Sequence, residues 1–300
     1  MNNKKDKLFK SATLKLKNSR FLKVFILSNL LLTNAKLTPD IIAEEAKTTP
    51  KIETTIDNPT IQIECEEETK LLAQNLKTII NDLEDDNYLC QMIVSELEKN
   101  NINIKITKPD EYTNGYYIIG GNTIYIPQNN IPEILDEDSK YEQKSLKKTI
   151  IHETIHMLQD NKGIFKDYEK LSPMDACIMS VLVELDAICK SFIIQNPDEW
   201  KSSDEIFYTM KNIIPCLETD IKITLNKSKH LIPTLPSISI DSVIKKLNIT
   251  GIDEYKDIEG IIKTIKENIP QELMNEIILQ DTKYLTLAQT NAQLSQGETK

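Results

Sequence analysis

No two of the five cysteines in this 300-residue chain stand in a CxxC spacing: they are Cys65, Cys90, Cys177, Cys189 and Cys216. The odd number excludes complete intramolecular pairing, and the scatter offers neither a disulfide framework nor a cysteine zinc site. Cys177 and Cys189 fall within apolar helical patterns, where a reduced thiol packs as a small hydrophobe. Arginine is almost missing, Arg20 being the only one, while Lys, Ile and Asn abound. That bias is what an AT-rich coding sequence produces and carries no functional message. Excess positive charge is missing too. The net charge is −10, and since residues 1–35 hold eight Lys or Arg against Asp6 alone, the remainder carries −17. So acidic a body is a poor counter-ion for phosphates, which argues against nucleic acid as a partner. There is no internal repeat, and no apolar run approaches the roughly 20 residues that a membrane-spanning helix needs.

What is present is organised in blocks. Residues 1–35 read as a Lys-rich segment, then the short apolar core Val24–Leu32, then Ala35 as the last residue before cleavage, a signal-peptide pattern. Export and a cytoplasmic protein with an amphipathic N-terminal helix are the two readings of that segment. Residues 36–60 mix Thr, Pro, Lys and Glu without apolar periodicity and read as a linker that buries too little surface to order. Helical spacing over 66–83 and 87–99 predicts two amphipathic helices. The alternation Ile102–Thr107 predicts a half-buried strand, and the runs 116–119 and 123–127 about Gly120-Gly121 predict a hairpin. A small antiparallel sheet is therefore expected ahead of a helix over 142–161 that stops at Gly163, followed by an apolar helix over 176–194. Beyond Trp200 further helices are expected, with breaks at Pro215, Pro233 and Pro236, helices near 241–247 and 257–290, and a frayed end from Thr290.

The helix over 142–161 carries His152-Glu153-Thr154-Ile155-His156. Two His four residues apart share one helical face, close enough to hold one tetrahedral zinc. Glu153, next to the first of them, is placed to act as general base on the water in the open zinc position. With three His in the whole chain, random placement yields this pattern on the order of 0.003 times. A catalytic zinc takes three protein ligands. The third is not supplied by a His further along the same stretch, because Gln159 and Lys162 occupy the places of the Gly and His of that extended pattern. The next helix contains Val181-Leu182-Val183-Glu184-Leu185-Asp186-Ala187, where two carboxylates interrupt a run that should be buried. A buried carboxylate is costly unless paired or bound to a metal. Glu184 and Asp186 are both candidates for that ligand. Asp186 also suits an outer role, accepting a hydrogen bond from a ligand His, and Gln159 and Asp160 compete for that role.

These motifs resemble the gluzincins, the thermolysin-like architecture in which a Glu on the helix after HExxH completes the site. The resemblance implies Glu184 as third ligand and Zn2+ as cofactor. The interval from His156 to Glu184 is longer than in thermolysin-like enzymes, and Ile188 stands where those enzymes often carry an Asp. A closer similarity is to uncharacterised bacterial proteins classed as metallopeptidases, with HExxHxxQ (His152 to Gln159) and a downstream ExDA (Glu184 to Ala187). It covers about residues 102–195. The expected fold is α+β and zincin-like, with a small antiparallel sheet on the HExxH helix and mostly helical surroundings. The expected organisation is a catalytic domain over 61–235 and a helical region over 236–300.

The expected activity is zinc-dependent hydrolysis of a peptide or protein substrate. His230, Tyr168 and Tyr208 are candidates for stabilising the oxyanion, and the hairpin at 116–126 offers an edge to an extended peptide. A deformylase is disfavoured, since no upstream Cys-bearing motif supplies its third ligand. The alternative from another class is a catalytically inactive helical interaction protein or secreted effector built on the same scaffold.

Overall fold

The computed structural model describes residues 61–110, 113–197, 203–228 and 258–297. The signal-like segment, the linker, the helix expected at 241–247, Pro233, Pro236 and His230 lie outside these residues. The described chain falls into two compact units, 61–158 with 191–197, and 159–190 with 203–297. None of the described helices is long and apolar enough to cross a membrane.

The first unit is built on a four-stranded sheet in the order β1-β2-β4-β3, with β1 Gln62–Glu64, β2 Asn103–Thr107, β3 Tyr116–Tyr117 and β4 Thr123–Pro127. The sheet is mixed, not antiparallel as the sequence suggested: β1 pairs parallel with β2 and β2 parallel with β4, and only β3 and β4 run antiparallel. The cause is connectivity. Helices α1 (Lys70–Asp86) and α2 (Tyr88–Lys99) form the crossover between β1 and β2 that a parallel pair requires. The hairpin then presents its second strand, not its first, to β2. Register places Ile63 beside Ile104 and Ile104 beside Ile124, with Ile106 beside Ile126, and all five are buried. The opposite face carries the ion pair of Lys105 with Glu64 at 3.9 Å.

The α1 stripe Ala73, Leu76, Ile79, Ile80 and Leu83 and the α2 stripe Cys90, Ile93, Val94 and Leu97 complete this core. Between the two helices, the Asn87 side chain caps α2 by accepting from the backbone N–H of Leu89 and Cys90 at 2.9 and 3.0 Å. Its amide donates to the Ile194 carbonyl at 2.9 Å, a residue 107 positions further along.

Helix α3 (Lys140–Asn161) and helix α4 (Pro173–Gln195) each run from one unit into the other. Both are buried almost all round over their middles, residues 149–157 and 176–189; α4 has apolar residues on nearly every face, whereas the buried stretch of α3 includes Thr149, His152, Glu153, Thr154 and His156. The second unit adds α5 (Ser203–Ser228), α6 (Ile258–Asn268) and α7 (Gln271–Gly297), with α5 packed against both α6 and α7.

Pro215 lies inside α5 without ending it. The break expected there does not occur, because Ile213, Ile214 and Leu217 are buried around it and that packing outweighs the lost backbone bond. The single helix expected over 257–290 is two helices meeting at Ile269-Pro270, and the second continues past Thr290 to Gly297. The architecture is α+β, dominated by helices.

Candidate metal centre

Ser139 and Asp136 exchange hydrogen bonds just ahead of α3, the Ser139 N–H donating to Asp136 Oδ1 and the Asp136 N–H to Ser139 Oγ, both at 3.0 Å. At the other end Gly163 takes the left-handed conformation expected of it, with φ +70°. Its N–H donates to the Asp160 carbonyl at 2.7 Å, and that of Ile164 to the Gln159 carbonyl at 3.2 Å, satisfying the last carbonyls of the helix. Midway, the loop before β3 presses on α3. A Cβ on Gly115 would stand 2.7 Å from Thr149 Cγ2 and 2.9 Å from Ile126 Cδ1, so only glycine allows this approach.

Three residues after Thr149, α3 turns polar inside the protein. His152, Glu153 and His156 are buried with only 5, 3 and 1% of their surface exposed. The two imidazoles meet edge to face, centroids 4.6 Å apart and planes at 84°, with their Nε2 atoms 3.0 Å apart. Glu184, on α4, is 2% exposed. One ligand-capable atom from each of His152, His156 and Glu184 lies within 4.8 Å of the others. The three can hold a metal ion. Imidazole nitrogen and carboxylate oxygen are the donor types of a three-ligand catalytic metal site, and burial of all three together is easier to sustain around a cation than in an apolar interior.

Asp186 is fully buried, but it does not hydrogen-bond a ligand His. Its Oδ2 accepts from Gln159 Nε2 and from Lys190 Nζ, each at 2.8 Å, and its Oδ1 has no partner. Burial pushes the Asp186 carboxyl above its ordinary range, opposed by the Lys190 ammonium, the Gln159 amide and the more distant Lys162. The sequence pointed to Asp186 and Gln159 but missed Lys190, although its spacing four residues after Asp186 is the helical ion-pair signal.

Of the other candidates, Tyr168 shares a 2.7 Å hydrogen bond with Ser180 Oγ and donates to the Ala176 carbonyl at 3.3 Å. Tyr208 is exposed on α5, and Asp160 is half-buried at the end of α3.

One turn before His152, Lys148 is half-buried with its ammonium 4.1 Å from the centre of the Phe192 ring. Burial, with a smaller contribution from the neighbouring Lys144, pulls its pKa down to about 8.

No protein-family model matches this chain, and comparison with curated proteins and with solved structures found no match.

Proposed function

We propose that the chain is a zinc-dependent peptidase in which His152, His156 and Glu184 hold the metal and Glu153 is the general base. The observation that supports it is the convergence of two imidazoles and a carboxylate, all buried, within 4.8 Å of one another. The 3.0 Å gap between the two Nε2 atoms is near the roughly 3.3 Å that separates two nitrogens bound tetrahedrally to one zinc at about 2.0–2.1 Å. When bound, zinc would supply Lewis acidity and lower the pKa of a coordinated water. Glu153 takes the proton of the attacking water and returns it to the leaving amine. His152 and His156, four apart on a rigid helix, keep their donor atoms in one place throughout.

The deciding experiment measures zinc in protein purified without chelator, then cleavage of a proteome-derived peptide library by mass spectrometry, with Glu153→Gln as control. Stoichiometric zinc with cleavage abolished in the variant is the expected result. Protein without zinc refutes the metal assignment; zinc-loaded protein that cleaves nothing refutes the peptidase.

A second reading, a metal-bearing but non-hydrolytic interaction protein, draws on the near-complete burial of Glu153 and all three donors. A peptide substrate must reach the site, and a metal that only braces the fold need not be reached.

A further inference from the structure

We propose that Gln159 and Asp186 are a positioning pair that holds Glu184 in place for the metal, Gln159 gripping the chain on both sides of that ligand. The inference rests on the metal-site reading above. Gln159 lies three residues after His156, on the adjoining turn of α3, and is 2% exposed. Its Nε2 donates to the Val183 carbonyl at 3.1 Å and to Asp186 Oδ2 at 2.8 Å. Val183 is the residue before Glu184, and Asp186 lies two after it. An amide nitrogen has two hydrogens, and here both go to the one turn of α4 that carries Glu184. Two attachment points fix both the height and the rotation of that turn relative to α3, and α3 carries both imidazoles. While both bonds persist, the backbone from which Glu184 projects keeps its place against α3.

The chemistry around Asp186 argues against simple helix adhesion. Its Oδ2 serves two donors, Gln159 and Lys190, while Oδ1 is buried with none. A pair of apolar side chains would join two buried helices without burying a charge or leaving an acceptor unpaired. What apolar packing does not provide is direction. Hydrogen bonds to an outer residue orient a ligand and tune metal affinity, and losing them typically weakens metal binding by about 10–100-fold.

The test uses the full chain and zinc itself. Zinc affinity is read by competition with a chromophoric chelator, the donor geometry by the visible spectrum of cobalt-loaded protein, and the scaffold by thermal unfolding of metal-free protein. Gln159→Met keeps length and helix propensity but removes both donors. It is expected to weaken zinc roughly 10–100-fold and to alter the cobalt spectrum, while metal-free unfolding stays cooperative. Asp186→Asn, which still offers an acceptor to Gln159, is expected to retain most of the affinity, a rescue that a purely charge-based role does not allow. Should Gln159→Met fail to fold, Gln159→Asn retracts the amide by one methylene and is expected to show the same loss. Wild-type affinity and an unchanged spectrum in the folded Gln159 variant overturn the proposal while leaving the metal site standing. Wild-type protein that binds no zinc removes the reading beneath it, and the proposal with it.

Discussion

The Nε2 atoms of His152 and His156 face each other across 3.0 Å in the buried middle of one helix. A hydrogen bond between them needs a single proton, whereas a shared cation needs none, so metal binding and protonation compete for the same two lone pairs. The first expectation follows. Ligand substitutions should rank by what they remove: His152→Ala, His156→Ala and Glu184→Ala lose zinc in metal analysis, and Glu184→Ala loses more than Asp186→Ala. Equal or reversed losses for the last pair would falsify Glu184 as the ligand.

Glu153→Gln keeps size and polarity but cannot take a proton. Zinc content should stay at the wild-type level while the rate of peptide cleavage falls by about 10²–10⁴-fold, the usual worth of a general base. Coincident loss of zinc would show that Glu153 serves the fold or the metal instead.

Lys148 makes stability depend on pH. Its pKa is near 8 in the fold, lowered chiefly by burial, and near 10.4 in an unfolded chain. Between those values the unfolded chain binds more protons, so stability gains from this group as pH rises from about 8 to 10, and its full penalty is felt below that range. Lys148→Met should raise the Tm at pH 7 by roughly 2–4 °C per kcal/mol recovered and flatten the rise between pH 8 and 10. Parallel melting curves for the two proteins would reveal it, and identical pH profiles would count against it.

Gly115→Ala places a methyl against Thr149 Cγ2, whose rotamer is held by the hydrogen bond that Thr149 Oγ1 donates to the Ser145 carbonyl at 3.1 Å. The expected destabilisation is about 1–3 kcal/mol by chemical denaturation. Thr149→Ser, which removes that methyl, should restore part of it in the double variant. A double variant as unstable as the two single changes summed would show that the contact is not the cause.

Thiol labelling of the native protein should separate the cysteines. Cys90, Cys177 and Cys189 are buried, and burial raises all three thiols, Cys177 to about 12. Thiolate is the reactive form. Burial raises the Cys65 thiol too, so access decides the order: half-exposed Cys65 and Cys216 should react first with iodoacetamide, as peptide mass spectrometry would report; early labelling of Cys189 would contradict the packing of α4.

Much of the helical framework was legible because it is written in periodicity. The stripes of α1, α2 and α3 and the Gly163 stop needed no tertiary information. β1 escaped notice: Ile61 and Ile63 alternate with Gln62 and Glu64, but three residues are too few for a pattern to stand out. Strand order was illegible for another reason, since alternation shows which face is buried and not which neighbour lies alongside. Pro215 shows packing overriding local propensity. At the candidate site, spacing brought His152 and His156 to one face, and the carboxylates interrupting an apolar run pointed to Glu184 and Asp186. The partners of Asp186 were harder to foresee, because a hydrogen bond from α3 to α4 depends on how two helices align.

The Asn87 side chain has a consequence for how the chain assembles. It finishes α2 locally, yet its amide is satisfied only by Ile194, about a hundred residues later. During synthesis β1, α1, α2 and β2 are complete long before that acceptor leaves the ribosome. The early half must wait with a polar group facing the position α4 will fill, and docking of the last turn of α4 closes a loop spanning 107 positions. Such distant closure slows folding more than it weakens the folded state.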